Sequence, residues 1–506
     1  MDRRRFLTHG TVLAASAALP ARLLGETPIV PVQIDLRQQI GALPHVWEEC
    51  AGSDRAAITM RESWRKDLDR WKAEIGLKRV RFHGIFCDEM GVYTPTILNR
   101  RKPAPNFRNV FEVYDGLLAR GVAPYIELSF MPSALASADT KFGFYNGNTS
   151  PPTSTEAWAD FITIFVRALI GRYGLATVRQ WPFEVWNEPD LRFFWSGTQQ
   201  QYFDMYKATA VAIKAIDPHL QVGGPATSQV QWVGDFAAWT AANNAPVDFF
   251  ATHIYASDNQ GKVFGVGTKM LQSEVIPAAM KKARGEIDAS PHKGKPLYLS
   301  EWSSDSPAMI AHIVKGCLPH VQAMSHWVMS GTYEELGVRD HILNEGGIGY
   351  APMVQGIALP TFNAFKLMRA LGTQQLAADG PALASRRDNG SVAALVWNLA
   401  EVSQPSGIPV PGAARKPAGE PKRLDVRFKG AKPGAVANVR FVDQERGSPM
   451  PAWRKMGSPQ YPTPAQLVAL RKAADIAPPV AMRLGRDGGL LLDLPPEGLA
   501  LIELAA

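Results

Sequence analysis

The sequence predicts an α/β fold in which a (β/α)8 TIM barrel is followed by a C-terminal β-sandwich. From about His45 to Leu371, short apolar runs alternate with longer amphipathic ones, a pattern typical of a parallel sheet. Eight such units over roughly 320 residues favour a closed barrel. After about Gly372 the helical pattern ends and strand-like runs dominate. An open doubly wound sheet is the alternative, but no glycine-rich phosphate turn follows the first strands.

Residues 1–24 are predicted to be a cleaved export signal. Arg3-Arg4-Arg5-Phe6-Leu7 precedes a short apolar stretch, Thr11–Leu19, and small residues follow it. The Arg-Arg-x-Phe-Leu pattern is similar to a twin-arginine signal, which exports folded proteins; an ordinary export signal is the alternative. We therefore expect the protein to be periplasmic or secreted.

The barrel is expected to occupy residues 45–371. The spacing of apolar residues predicts its helices. Trp64, Leu68, Trp71 and Ile75 fall on one helix face. The segments Glu156–Tyr173 and Gln199–Ile216 have the same pattern. A first strand is expected near Pro44–Glu48. The other seven strands should contain the following runs, in order: Val80–Phe82, Pro124–Leu128, Pro182–Trp186, Gln221–Gly223, Phe249–His253, Leu297–Ser300 and Ser325–Met329.

Residues 372–506 are predicted to form the β-sandwich. The runs Ser391–Trp397, Val436–Phe441 and Gly489–Leu494 are typical of strands. Ser403–Lys422 is rich in proline and glycine and is interpreted as a solvated loop. In the N-terminal segment 25–44, the run Val30–Leu36 could complete the sandwich.

Composition excludes several classes of function. The chain has 54 Lys+Arg and 47 Asp+Glu, a net charge of +7, of which residues 1–24 supply +3 (four arginines minus one aspartate). The remaining +4 is too small to indicate nucleic-acid binding. No apolar run of about 18 residues follows the N-terminus, so a polytopic membrane protein is excluded. The three cysteines, Cys50, Cys87 and Cys317, are far apart, and the ten histidines show no metal-binding spacing. No metal or cofactor is expected.

Two glutamates stand at predicted strand ends, where barrel enzymes place their working residues. Glu188 and Glu301 each follow an apolar run, and they are 113 residues apart (301 − 188), or three units along the barrel. We therefore expect them to face each other after strands four and seven. Two facing carboxyls can cleave a glycosidic bond when one holds a proton and the other is ionised. Glu184 is interpreted as structural.

The residues around this pair show a family resemblance. Trp186-Asn187-Glu188-Pro189 is similar to the acid/base string of the retaining barrel clan of glycoside hydrolases. More narrowly, the sequence resembles glycoside hydrolase family 39, which contains β-xylosidases and α-L-iduronidases. The similarity lies in five strings: Arg81–Tyr93, Glu127–Pro132, His253–Tyr255, Phe441–Glu445 and Ala452–Pro459. The stretches Ser303–Pro307 and Ser403–Lys422 depart from the usual family pattern.

The resemblance implies roles for individual residues. Glu188 would be the acid/base, Glu301 the nucleophile, and Asn187 the ligand of the sugar 2-hydroxyl. The pocket for the terminal sugar would be lined by His83, Phe130, His253, Tyr255, Trp327 and Glu335, with Glu334 the alternative to Glu335. Neutral histidines and carboxylates would bind vicinal hydroxyls while aromatic rings cover the apolar sugar face.

The implied function is a retaining exo-β-D-xylosidase that acts on xylo-oligosaccharides without a cofactor. One alternative is a retaining glycosidase of another sugar: a β-glucoside, an α-L-arabinopyranoside, an α-L-iduronide or an exopolysaccharide. Another is a carbohydrate-binding protein without catalysis. The sequence leaves the linkage, the preferred chain length and the oligomeric state open.

Overall fold

The structure is a computed structural model that describes residues 28–95, 102–331, 335, 343, 351–403 and 416–506. The predicted export signal and the middle of the Ser403–Lys422 stretch lie outside the described residues, as does Glu334. Strand Glu401–Ser403, which ends at the first residue of that stretch, pairs in antiparallel fashion with Lys416–Ala418 inside it, so the stretch is not a loop throughout.

Eight parallel strands close into a barrel, which confirms the predicted fold class. Each strand pairs in parallel with its two neighbours. We number them barrel strands one to eight in chain order: Cys50–Arg55, Arg79–His83, Ala123–Leu128, Pro182–Val185, Gln221–Thr227, Phe249–His253, Leu297–Trp302 and Ala323–His326.

The predicted position of the first barrel strand was wrong. The run Pro44–Glu48 forms a turn in which the Glu48 amide donates to the His45 carbonyl over 3.0 Å. The imidazole of His45 stacks on Trp47 and its Nδ1 lies 2.6 Å from Glu48 Oε1. These local contacts compete with an extended conformation, so barrel strand one begins at Cys50 instead.

Helices cover the outside of the barrel. The predicted apolar face of Trp64, Leu68, Trp71 and Ile75 is buried, although the helix changes to a π-helical turn at Trp71–Ile75. Among the described residues, no helix has both the length and the apolar character needed to cross a membrane. The α-helices are Glu62–Arg70, Arg108–Leu118, Thr155–Tyr173, Leu175–Val178, Gln199–Ile216, Val233–Ala242, Gln260–Phe264, Gln272–Asp288, Pro307–Cys317, Pro360–Arg369, Met450–Lys455 and Pro464–Ala473.

The second region is built on a mostly antiparallel sheet of nine strands around its own apolar core. The run Val30–Leu36, which could complete the sandwich, lies in strand Ile29–Ala42. This strand pairs with Gln374–Asp379 on one side and with Lys422–Lys429 on the other. An early segment of the chain thus lies inside the C-terminal sheet. The other strands are Ala382–Arg386, Val392–Trp397, Val436–Val442, Val480–Arg483, Gly489–Leu494 and Leu499–Leu504.

Strand Ile29–Ala42 supplies a test of this arrangement. Ile34 is fully buried in the core of the nine-stranded sheet, whereas Ile40 on the same strand is 54% exposed. We expect Ile34→Ala to destabilise the sheet by about 2–5 kcal/mol because it leaves a cavity. Ile40→Ala is the matched control and should cost under ~1 kcal/mol. Thermal unfolding followed by circular dichroism measures both; equal shifts would contradict the placement of this strand in the sheet core.

Candidate active site

The predicted site residues gather at the C-terminal end of the barrel, where this fold places its catalytic groups. His83 and His253 are the last residues of barrel strands two and six, and Glu301 lies near the end of strand seven. Asn187 and Glu188 follow strand four. The two glutamates therefore follow barrel strands four and seven, as their spacing predicts.

Glu188 and Glu301 face each other across the top of the barrel. One oxygen of each carboxyl lies within 4.8 Å of the other and of a nitrogen of His253. His253 Nδ1 is 3.0 Å from Glu188 Oε1 and 3.6 Å from Glu301 Oε2. Retaining glycosidases hold their carboxyls about 5–5.5 Å apart and inverting ones about 6.5–9.5 Å apart. The observed spacing therefore suits a direct attack on the sugar rather than attack through an interposed water.

The backbone that presents Glu188 is strained and tightly held. Trp186 and Glu188 both have left-handed conformations, with φ of 72° and 42°. The amide of Glu188 donates to the carbonyl of Ala226 over 2.8 Å, and Trp186 Nε1 donates to the carbonyl of Phe194 over 2.8 Å. Such strain is found mainly where the surrounding structure fixes a functional side chain.

A buried arginine that was not among the predicted site residues, Arg81, organises the site. Arg81, on barrel strand two, donates from Nε to Glu184 Oε1 at 2.7 Å, and its Nη1 lies 3.2 Å from Glu301 Oε2. Its Nη2 contacts Asn187 Oδ1 at 2.9 Å and Glu127 Oε2 at 2.9 Å. Glu184 is therefore structural, as interpreted. The signal in the sequence is weak, because the strand reads Arg79-Val80-Arg81-Phe82-His83 and charged or polar residues alternate with apolar ones along it.

The surroundings give the carboxyls of Glu188 and Glu301 different pKa values. Burial, and then the negative charge of Glu301, raise the pKa of Glu188 far above its usual value. Burial also raises the pKa of Glu301, but the positive charges of Arg81 and His83 and a hydrogen bond from the Tyr255 hydroxyl oppose that rise. Of the two carboxyls, Glu188 is thus the one more strongly favoured to hold a proton, and Glu301 the one that ionises more readily. This division is the one that an acid and a nucleophile need.

The two histidines of the site differ in charge. Burial and the positive charges of Arg81 and His83 lower the pKa of His253 well below its usual value, so His253 is neutral as expected. Burial alone would lower the pKa of His83, but the charges of Glu127 and Glu335 outweigh it and raise the pKa to about 9. The expectation of a neutral histidine was wrong for His83.

The tautomer of His253 follows from Arg81. Nε2 of His253 lies 3.3 Å from Arg81 Nη2, and an arginine can only donate. The histidine proton is therefore on Nδ1, which faces Glu188. Arg81 also orients the side-chain amide of Asn187. The Oδ1 atom of Asn187 accepts from the guanidinium, while its Nδ2 is buried and has no partner among the described residues. A substrate hydroxyl would satisfy this amide, which agrees with the role implied for Asn187.

Aromatic rings and a carboxylate form the wall of the pocket. The ring of His83 lies 4.6 Å from that of Trp327 and 6.0 Å from that of Phe130. Glu335 is brought beside them, with its Oε1 at 3.7 Å from His83 Nε2 and 3.1 Å from the hydroxyl of Tyr145. Tyr145 was not predicted, because it lies in the loop after barrel strand three, whose sequence carries no recognisable motif. The choice of Glu335 over Glu334 stays a prediction.

Glu188, His253 and Glu301 are also residue types that bind divalent metals, and their ligand atoms converge. The guanidinium of Arg81, 3.2 Å from Glu301, places a positive charge beside them that disfavours a cation. The arrangement is better suited to proton transfer and nucleophilic attack.

The sequence model of glycosyl hydrolases family 39 matches residues 30–488. The chain belongs to this family. It is 33% identical to a β-xylosidase from Geobacillus stearothermophilus over 480 residues, which is 90% of this chain and 92% of the relative. The solved structure of a monomeric β-xylosidase from Caulobacter crescentus CB15 superposes with a TM-score of 0.81 at 32% identity and covers 94% of this chain and 99% of that one. A human α-L-iduronidase is 24% identical over 552 residues, with 95% of this chain and 80% of the relative covered.

The family membership confirms that the chain is a glycoside hydrolase of a retaining family. The alternative of a carbohydrate-binding protein without catalysis is therefore excluded. The resemblance seen in the sequence extends over both the barrel and the nine-stranded sheet.

Replacing either glutamate with alanine should give a distinct defect. Glu188→Ala removes the proton donor, so kcat/KM for an aryl glycoside with a poor leaving group should fall by about 10²–10⁴. The same variant should keep a kcat/KM for a dinitrophenyl glycoside close to that of the wild type, because that leaving group needs no proton, whereas its kcat should fall because Glu188 is also the base of the second step. Glu301→Ala removes the nucleophile and should inactivate the enzyme toward both substrates.

Steady-state kinetics with matched aryl glycosides measures these effects, and Glu112→Ala, at an exposed carboxyl, is the control. Azide should partly restore Glu301→Ala by taking the place of the nucleophile. If Glu188→Ala lost activity equally on both leaving groups, its assignment as the acid would be wrong.

Proposed function

We propose that the protein is a retaining exo-β-xylosidase that releases terminal xylose from xylo-oligosaccharides. Glu301 attacks the anomeric carbon while Glu188 gives its proton to the departing oxygen, which leaves a covalent glycosyl–enzyme intermediate. Glu188, now ionised, takes a proton from water as that water displaces Glu301. The configuration at the anomeric carbon is thereby retained. The single observation that carries this proposal is the pair of carboxyls within 4.8 Å, with only Glu188 strongly favoured to hold a proton.

The exo mode is supported by the wall at one end of the pocket. The amide of Phe144 donates to the carbonyl of Glu335 over 2.7 Å, and the Tyr145 hydroxyl donates to the Glu335 carboxylate. Loops that follow barrel strands three and eight are thereby tied together beside His83. A contact between these two loops would stop a chain from continuing past the terminal sugar on this side.

Xylose is supported over iduronate by the relatives and by the charges of the pocket. The relatives named β-xylosidase are 32–33% identical, whereas the α-L-iduronidases are 24–25% identical. An iduronide carries a carboxylate that needs an unopposed cation. The cations His83 and Arg81 of the site are already opposed, because His83 lies between Glu127 and Glu335 and Arg81 contacts Glu127, Glu184 and Glu301. A substrate carboxylate would therefore meet negative groups beside either cation.

A panel of aryl glycosides on the purified protein tests the sugar. We expect the highest kcat/KM with the β-xyloside and lower values with the β-glucoside, the α-L-arabinopyranoside and the α-L-iduronide. Proton NMR of the first turnovers should show β-xylose before mutarotation, as retention requires. Faster cleavage of another sugar would overturn the xylosidase assignment, and initial release of α-xylose would overturn retention.

We also propose that residues 1–24 export the protein through a twin-arginine pathway, on the basis of Arg3-Arg4-Arg5-Phe6-Leu7. Replacing Arg3 and Arg4 together with lysine should keep the enzyme in the cytoplasm. Fractionation of cells that produce each form measures this; unchanged export of the double variant would indicate an ordinary signal.

A further inference from the structure

A buried glutamate, Glu127, lies behind His83 on the side away from the sugar pocket. Glu127, on barrel strand three, is fully buried, and its Oε2 lies 2.8 Å from His83 Nδ1 and 2.9 Å from Arg81 Nη2. Its other oxygen, Oε1, accepts a hydrogen bond from the Ser129 hydroxyl. Arg81 and His83 hold the pKa of Glu127 below its usual value despite burial, so this carboxyl is ionised. An ionised carboxylate can only accept, and therefore Nδ1 of His83 carries a proton.

The other nitrogen of His83 also faces a carboxylate. Nε2 lies 3.7 Å from Glu335 Oε1, which is too long for a direct hydrogen bond. A substrate hydroxyl beside this pair, within hydrogen-bond distance of both atoms, can accept from Nε2–H and donate to Glu335. This arrangement requires protons on both ring nitrogens, that is, an imidazolium.

We propose that Glu127 is a positioning residue that holds His83 as an imidazolium, so that Nε2–H is always available to a hydroxyl of the terminal sugar. Glu127 does not touch the substrate; it acts through His83 and, by its contact with Arg81, ties the recognition of the sugar to the catalytic centre. The proposal rests on the proposed function only for the identity of the sugar.

The charges around His83 give the direction of the pH dependence. Glu127 and Glu335 raise the pKa of His83 to about 9 against the effects of burial and of Arg81. The donor is therefore present below that pH and is lost as pH rises through it. Among the described residues, Glu127, Glu335 and Arg81 act on the charge of His83, and His83 in turn acts on His253 and Glu301. Tyr145 lies beside Glu335 and donates to its carboxylate.

Glu127→Gln keeps the shape of the side chain and removes its charge. We expect the pKa of His83 to fall by about one pH unit or more, because an adjacent opposite charge changes a pKa by that much. In the pH profile of kcat/KM, the fall at alkaline pH should move to lower pH by the same amount. Above that lower pH, activity should fall about tenfold for each further pH unit, because the protonated fraction of the ring falls by that factor. The substrate should be dinitrophenyl β-xyloside, whose cleavage does not depend on the proton of Glu188.

Two matched variants separate charge from packing. Glu127→Asp keeps the negative charge and should keep the fall at alkaline pH near its wild-type position, even if its maximal rate is lower. Glu112→Gln makes the same chemical change at an exposed carboxyl and should leave the whole profile unchanged. A Glu127→Gln profile that is lowered equally at every pH would show a merely structural role and would overturn the proposal.

A direct titration of His83 needs no substrate and so remains decisive if the protein prefers another sugar. In protein labelled with nitrogen-15 histidine, the His83 resonances are identified by their loss in His83→Gln. We expect the wild-type ring to be charged at pH 7 and to titrate near pH 9, and the Glu127→Gln ring to titrate lower. A neutral His83 ring at pH 7 in the wild type would overturn the proposal, and this result does not depend on whether Glu127→Gln folds.

Discussion

The site depends on one buried positive charge. Arg81 is fully buried and contacts three carboxylates, Glu127, Glu184 and Glu301, which lie on barrel strands three, four and seven. A buried guanidinium is stable only when its donors are satisfied, so these strands can meet in one register alone. Arg81 therefore fixes the geometry of the barrel top, and its positive charge favours the ionised form of the nucleophile.

The same field explains how chemically identical side chains acquire different roles. Glu301 is in contact with Arg81, whereas Glu188 lies against neutral His253 and faces the negative charge of Glu301. Because the two carboxylates would repel each other if both were ionised, the negative charge of Glu301 favours a proton on Glu188. Attack by Glu301 removes its negative charge, which lowers the pKa of Glu188 at the moment when its proton must leave. Chemistry and electrostatics thus act in the same direction.

The sequence predicted elements and residue types better than it predicted charge states. Seven barrel strands and the two glutamates follow from periodicity, because burial and strand ends leave a local pattern. The His45 turn was misread because its stacking and hydrogen bonds are local contacts that a hydrophobic run does not show. The protonation of His83 depends on Glu127 and Glu335, which are far from it along the chain. Only the folded structure brings them to the ring.

The nine-stranded sheet contributes no residue to the catalytic pair, yet it packs against the elements that hold it. Helix Pro307–Cys317 follows the strand that carries Glu301, and the amide of Ala308 at its start donates to the carbonyl of Glu497. Helix Pro360–Arg369 follows barrel strand eight, and the buried amide of its Asn363 donates to the carbonyls of Gly447 and Ala474. Both helices are thus anchored from outside the barrel. Since an error of about 1 Å in a carboxylate position can cost about 10²-fold in rate, a rigid support behind strands seven and eight is a catalytic requirement. This requirement gives a physical reason for the family resemblance to extend into the sheet, far from the sugar.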